Sequence, residues 1–462
     1  MLRRSLRLVA VFLFLISASS FVYASRGFLP AVNYPTGVQP FSVAIADFNG
    51  DSRPDVATAN STDGTITILL GQGDGTFVPA KTYSICYSPF QIVAGDLNGD
   101  GRPDLVATCA TGLAKDIAVM LNSASGFLPS QFYEDRGTGA GPLVLADFDE
   151  DGILDLAVGD GPMVGFLKGN GDGSFQMAET SFPGFNLLSL VANDFNHDGH
   201  FDLAAADENV GGVVLLGNGD GSFQPATYLA DSLKPLSVAA ADFSRDGNVD
   251  LVLANDLKTV TVFLGNGDGT FQGGVTLDVA KAPKSVAVAD FNGDGAIDIA
   301  VVIAETGVAV MYGRGDGTFP LVRRLRTDGF TPGSWDVAAV DLNDDRAPDL
   351  VVLNRFKQTV SVIMNSGGTF VTSTSSENPA PAGQPVTFTA TVAPSLISTI
   401  PTGSVTFADG TTTLATLPLD QNGVASYTTS GLRTGTHTIR TKYSGDSNFN
   451  PNTGNAIVQV IR

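Results

Sequence analysis

Seven times in this 462-residue chain, aspartate occupies the first, fifth and ninth places of a nine-residue stretch. The first places are Asp47, Asp96, Asp147, Asp194, Asp242, Asp290 and Asp341. The fifth are Asp51, Asp100, Asp151, Asp198, Asp246, Asp294 and Asp345, and the ninth are Asp55, Asp104, Asp155, Asp202, Asp250, Asp298 and Asp349. Third places carry Asn49, Asn98, Asn196, Asn292 and Asn343, with Asp149 in the third copy and Ser244 in the fifth. Alternate residues of a curved loop can aim hard oxygen donors at one point, and a Ca²⁺ ion takes about six to eight such oxygens. Place seven varies freely (Arg53, Arg102, Ile153, His200, Asn248, Ala296, Ala347), as expected where only the backbone carbonyl is a ligand. Up to seven Ca²⁺ sites are therefore expected.

An EF-hand also spaces its ligands alternately, but it needs a glutamate at place twelve and flanking helices. Place twelve here is Thr58, Ala107, Val158, Ala205, Leu253, Val301 or Val352, which excludes it. A metal-free polar turn would have to crowd three carboxylates into every copy against their own repulsion. Extracellular calcium sites bind at around 10⁻⁴ M, so at millimolar calcium each adds on the order of 1.4 kcal/mol. Glycine at place six, in five copies, suits a left-handed backbone. Ser52 and Arg346 stand there in loops 1 and 7, and Ser244 is a poorer donor in loop 5, so these three are expected to be the weaker sites.

The loops need elements to hold them. Their starts lie 49, 51, 47, 48, 48 and 51 residues apart, a period that signals a repeat architecture. A second phrase, Gly71-Gln72-Gly73-Asp74-Gly75-Thr76-Phe77, recurs in phase near Gly169, Gly217, Gly265 and Gly313, and weakly around Asn122 and Asn365. Apolar and alternating runs between the phrases, such as Thr65-Ile-Thr-Ile, give four short strands per unit. Four antiparallel strands per ~50 residues make one propeller blade. The fold expected is all-β: a seven-bladed β-propeller followed by an Ig-like β-sandwich. Gly27 to Tyr34 resembles the outer-strand phrase Thr76 to Tyr83, so it is expected to complete the last blade, with Thr369-Phe370-Val371 as the competing segment.

The paired phrases, for example Asp290-Phe-Asn-Gly-Asp-Gly-Ala-Ile-Asp298 and Gly265-Asn-Gly-Asp-Gly-Thr-Phe271, resemble FG-GAP/VCBS repeats, which are similar to the propeller of integrin α-subunits. The resemblance covers roughly Gly27 to Phe370. It implies calcium on the hairpin loops of one ring face and ligand contacts on the loops of the opposite face. It implies no particular ligand.

At the N-terminus, Arg3, Arg4 and Arg7 precede an apolar run from Leu8 to Ile16, and Val22-Tyr23-Ala24 offers a cleavage site. Residues 1–24 thus read as a secretory signal, too short in its apolar run for a bilayer span. The mature chain, with a net charge of about −24, repels nucleic acid and anionic surfaces. A secreted or cell-surface location follows, with nothing membrane-spanning after cleavage. The partner expected is an extracellular glycan or protein.

The propeller is expected over 25–371, a Ser/Thr/Pro-rich linker over 372–381 and a sandwich over 382–462. The last resembles bacterial Ig-like repeats through Gly435-Thr-His-Thr-Ile and Tyr443-Ser-Gly-Asp446. Cys86 and Cys109 flank one hairpin; a disulfide is favoured, with two free thiols as the alternative. Arg314-Gly315-Asp316 occupies the ordinary Gly-Asp-Gly turn slot, and His197 and His200 read as exposed loop residues. Arg323, Arg324 and Arg326 could bind an anionic sugar or simply guard a sheet edge. Trp335 precedes an inner strand, where it reaches the ligand face or plugs the channel. Asn60, Asp160, Asp207, Asn255 and Asn354 recur at the end of the second strand, either facing a ligand or capping a turn. No catalytic constellation is recognisable, so a binding or adhesion module is expected. The alternative is a polysaccharide-acting enzyme such as a lyase, for which Tyr133-Glu134-Asp135-Arg136 is the cluster to test.

Overall fold

The computed structural model describes residues 27–110, 116–134, 141–160, 163–178, 186–230, 234–279, 281–303, 306–327, 334–366, 369–394, 400–446, 449 and 451–462. The expected signal segment, residues 1–24, lies outside them. The described residues form β-strands and turns, with no helix.

Seven four-stranded antiparallel sheets stand in a ring. Blade 1 comprises Pro40–Ala46, Asp55–Asn60, Thr65–Gly71 and Phe77–Ser84, paired in that order. Innermost strands of adjacent blades touch one another all round, and Ser334–Val340 of blade 7 returns to Pro40–Ala46 of blade 1. Because blades stack face to face, the second strand is covered on both sides. Asp55–Asn60, Asp104–Cys109, Asp250–Asn255 and Asp349–Asn354 are buried at every residue. That explains why apolar residues stand side by side after the opening aspartate, as in Leu251-Val252-Leu253-Ala254, where one-sided strands would alternate.

The ring closes through the N-terminal segment, as its sequence suggested. Val32–Pro35 pairs with Thr359–Ile363 as the outer strand of blade 7, and Phe28 pairs with Asn365. Elsewhere the place-two phenylalanine of one loop meets the Gly-Asp-Gly-phrase phenylalanine of the next blade: Phe148 on Phe223, Phe195 on Phe271 and Phe243 on Phe319, at 5.7 to 5.8 Å between ring centroids. Phe291 of blade 6 finds Phe28 at 5.7 Å instead, so the latch also fills the packing slot.

The competing segment belongs to the C-terminal domain. Thr369–Ser375 pairs along its length with Val386–Pro394, which pairs with Val424–Thr429. A second sheet holds Thr412–Pro418, Ser404–Asp409, Gly435–Tyr443, Asn452–Thr453 and Ile457–Ile461. Phe388, Phe407, Ile439 and Tyr443 are buried between the sheets. The linker expected at 372–381 is therefore corrected: its first half belongs to a sandwich strand, in which exposed Thr372 and Thr374 alternate with buried Val371 and Ser373. Ala380 forms a parallel bridge with Ile461. Cys86 and Cys109 are joined in a disulfide, tying the approach to blade 2 to the end of its second strand.

Candidate metal loops and the channel mouth

Each nine-residue loop is wound around its first aspartate. In loop 1, Asp47 Oδ1 accepts the N–H groups of Gly50 and Asp51, and Oδ2 accepts that of Ser52 at 2.6 Å. Asn49 Oδ1 accepts the Asp51 N–H, while Asn49 Nδ2 donates to Asp51 Oδ2. Asp51 Oδ1 accepts the Arg53 N–H. The same pattern recurs in loops 2, 4, 6 and 7. Places one, three and five thus share the loop's crest. In four copies the place-seven side chain lies against the Gly-Asp-Gly turn of its own blade: Arg53 on Gly73, Ile153 on Gly171, His200 on Gly219 and Asn248 on Gly267.

The ninth aspartate is placed differently: it is fully buried in every loop. Asp55 Oδ2 accepts the Phe48 N–H and Oδ1 accepts the Gly71 N–H at 2.8 Å. Asp155, Asp202, Asp250 and Asp298 repeat both bonds. Burial pushes these carboxyls up: Asp349 to about 8, Asp298 to about 7, and Asp55, Asp155 and Asp202 to about 6. Backbone N–H donors oppose that rise, and the loop's other carboxylates add to it.

Whether a cation suits these loops can be judged from loop 3. Oxygens of Asp147, Asp149 and Asp151 lie within 4.8 Å of one another. Lys168 Nζ sits against them, bonded to Asp149 Oδ2 and 2.8 Å from Asp151 Oδ2. A positive charge is accommodated at that crest. The carboxylate and amide oxygens of the other loops are hard donors suited to Ca²⁺.

Two features escaped the sequence reading. Place four of one loop reaches the next loop around the face: Glu150 bonds His200, His197 Nε2 lies 3.1 Å from Asn248 Oδ1, and Arg245 donates to the carbonyls of Asp294 and Gly295. Both loop histidines are thus bridges. The signal lay in places four and seven, whose variability hid their pairing. Second, the weak phrases at Asn122 and Asn365 are replacements. In regular copies the second glycine of Gly-Asp-Gly donates to the preceding loop, as Gly269 does to the Phe195 carbonyl. Asn122 Nδ2 and Asn365 Nδ2 make that bond to Phe48 and Phe291 at 2.8 Å.

At the opposite ends of the inner strands lies a cavity of about 310 Å³. Six inner strands begin with a register shift, for example between Pro40 and Ser42 or between Ser334 and Val337. A bulge re-aims the extra side chain. The residues so displaced include Phe41, Phe90, Leu188, Leu236, Lys284 and Trp335, and these line the cavity. Phe41 stacks near Phe90 (4.3 Å) and Trp335 (5.1 Å). The Arg355 guanidinium lies 4.7 Å from both the Phe41 and Trp335 rings. Behind them, Asp336 accepts hydrogen bonds from Ser285 Oγ and the Val43 N–H, joining blades 6, 7 and 1. Burial raises its pKa. Trp335 therefore reaches the mouth.

Other candidates resolve structurally. Asn60, Asp207, Asn255 and Asn354 are buried and bond within their own hairpins or to the adjoining backbone, as Asn60 Nδ2 does to Thr67 Oγ1 at 2.9 Å. They cap turns. Asp316 of the Arg-Gly-Asp tripeptide accepts both the N–H and Oγ1 of Thr318 within its own turn. Arg323 to Arg326 flank the latch, with Arg323 5.9 Å from the Phe28 ring. Tyr133 stands on the outermost strand of blade 2 against Phe175, far from the axis, while Asp135 and Arg136 lie outside the described residues.

The description "FG-GAP-like repeat" matches residues 47–107, 147–205, 194–253, 242–301 and 290–352. "Bacterial Ig-like domain (group 3)" matches 372–462. No curated protein matches the chain significantly. Solved structures of BBS1N in complex with ARL6DN, soaked with lead or with mercury, superpose with a TM-score of 0.52 at 12% and 13% identity. Each covers 73% of this chain and 97% of its own, a likeness of β-propeller fold alone. With its repeats matched over more than half its length, this chain belongs to the FG-GAP-like repeat family and carries a bacterial Ig-like domain at its C-terminus.

Proposed function

We propose that this chain is an exported binding module: a calcium-stiffened propeller that takes a carbohydrate at its channel mouth, with the Ig-like domain as a stalk. The observation carrying the reading is the cluster of Phe41, Phe90 and Trp335 beside Lys284, Gln91 and a ring of serines in one cavity. Flat aromatic rings cover the C–H faces of a sugar, and the polar rim meets its hydroxyls. The cavity holds about 310 Å³, room for a monosaccharide unit of a longer chain. The inner strands carry this mouth at one end and the acidic loops at the other, so ions fastening the loops would stiffen the whole ring.

Trp335 is the chain's only tryptophan, so its fluorescence reports directly on the mouth. A glycan array read with wild type and Trp335→Ala, followed by fluorescence titration of the hits, tests the proposal. Saturable binding abolished by Trp335→Ala is expected. Binding untouched by that change would move the ligand elsewhere, and release of shorter sugars would make the protein a polysaccharide-acting enzyme, a lyase if the products are unsaturated.

A further inference from the structure

The strand residue just before the first glycine of the phrase, or before the asparagine that replaces it in blades 2 and 7, is apolar in six blades: Leu70, Leu121, Leu216, Leu264, Tyr312 and Met364. Four of these pack beneath a turn of the next blade, as Leu216 does under Gly269 and Met364 under Gly75. In blade 3 the residue is Lys168. The seat under Gly221 is filled there by Phe166 instead, so Lys168 is not called on to fill it. Its ammonium bonds Asp149 and lies 2.8 Å from Asp151 Oδ2, at the crest of loop 3. Loop 3 is also the one loop with aspartate at place three.

From this pairing we infer that loop 3 carries a built-in cation and does not take up calcium under conditions that fill its neighbours. The inference rests on the calcium reading of the other loops. In five of those loops a neutral asparagine amide stands at place three and donates to the fifth-place carboxylate. An amide can rotate its oxygen toward an entering ion. An ammonium has no acceptor to offer. Its charge also repels a divalent ion, and at about 5 Å even in a water-like medium that repulsion weakens binding on the order of ten-fold. Asp149 gives the lysine its anchor, and the extra negative charge is offset by the extra positive one.

The test is equilibrium dialysis of the full chain against about 1 mM Ca²⁺, with bound metal counted by atomic emission. The proteins are wild type, Lys168→Met and Lys168→Met/Asp149→Ala. Lys168→Met, which copies the methionine of blade 7, should hold one more ion per chain than wild type. Asp149, whose Oδ1 accepts no hydrogen bond in the structure, then becomes a ligand. The double variant should return to the wild-type count. Equal nonzero counts for wild type and Lys168→Met overturn the inference alone. No bound calcium in any protein overturns the calcium reading and this inference with it. Wild-type crystals grown in calcium give an independent readout: anomalous density in loop 3 would refute it whether or not the variants fold.

Discussion

The backbone N–H of Gly265 donates to Asp250 Oδ1 at 2.7 Å, across 15 residues of sequence. Asp250 Oδ2 meanwhile accepts the Phe243 N–H at 2.8 Å. One buried carboxylate thus fastens the acidic loop to the Gly-Asp-Gly turn. The two recurrent phrases stay in phase because they are physically joined at this residue.

Replacing Asp250 by alanine orphans the buried N–H groups of Phe243 and Gly265, at about 1–3 kcal/mol each, and also frees the half-buried Ser244 N–H that Oδ2 accepts at 3.1 Å. Asp246→Ala, on the exposed crest of the same loop, removes only short-range bonds within that loop, such as the one from the Asn248 N–H. In chelator-treated protein, urea unfolding should show Asp250→Ala destabilised by roughly 2–5 kcal/mol and Asp246→Ala by less than about 1.5 kcal/mol. Equal losses would mean that the buried clamp is no more important than the crest.

The latch makes a second prediction. Phe28 fills the slot that Phe223, Phe271 and Phe319 fill elsewhere, but it arrives from the other end of the chain. Phe28→Ala should cost about 3–5 kcal/mol if the ring unfolds as a unit. Starting the chain at residue 36 also removes Val32–Pro35 and exposes the edge of Thr359–Ile363. Size-exclusion chromatography should then show self-association through that edge. A truncated chain that stays monomeric with an unchanged melting temperature would show the closure to be dispensable.

Much of this was legible in the sequence because a repeat is read many times over. Fixed aspartates, glycines and phase announced the blades, and the likeness of Gly27 to Tyr34 to an outer strand announced the closure. What stayed hidden was relational. Glu150 gives no sign that it meets His200, fifty residues on, because such pairs change from loop to loop. Ser373 lies in a run that reads as a linker, yet its hydroxyl is 2.6 Å from Thr441 Oγ1 between the two sheets. The mouth was illegible for another reason: residues such as Phe41 and Leu188 reach it through bulges that a strict alternation of strand residues does not foresee.

Backbone strain at place six gives a third prediction. Ser52 and Arg346 hold φ of 66° and 62°, where five other loops have glycine between 81° and 90°. Ser52→Gly and Arg346→Gly should each raise stability by about 0.5–1 kcal/mol in chelator, since the left-handed penalty exceeds glycine's entropic cost. The reverse change at Gly265, whose backbone lies tight against the Val249 carbonyl, should be poorly tolerated: an added Cβ would come within 2.3 Å of that oxygen. Thermal melts of the three variants check both signs.

Acidity and calcium should act in opposition. In the folded metal-free protein Asp349 titrates at about 8 and Asp298 at about 7, both far above the ordinary 3.8, chiefly because burial disfavours the charged form. Between those values and 3.8 the folded state binds more protons than the unfolded one, so stability falls as pH rises. This contribution is fully present below about pH 4 and is lost as pH passes through 7 and 8. The melting temperature in chelator should therefore be higher at about pH 5.5 than at about pH 8. Asp349→Asn should flatten that slope, because one titrating proton disappears. Calcium favours the ionised loop, so saturating Ca²⁺ should shrink or reverse the difference and release protons measurable in buffers of different ionisation heat. A chelated protein that grows more stable from pH 5.5 to 8 would contradict the assignment of these buried carboxyls.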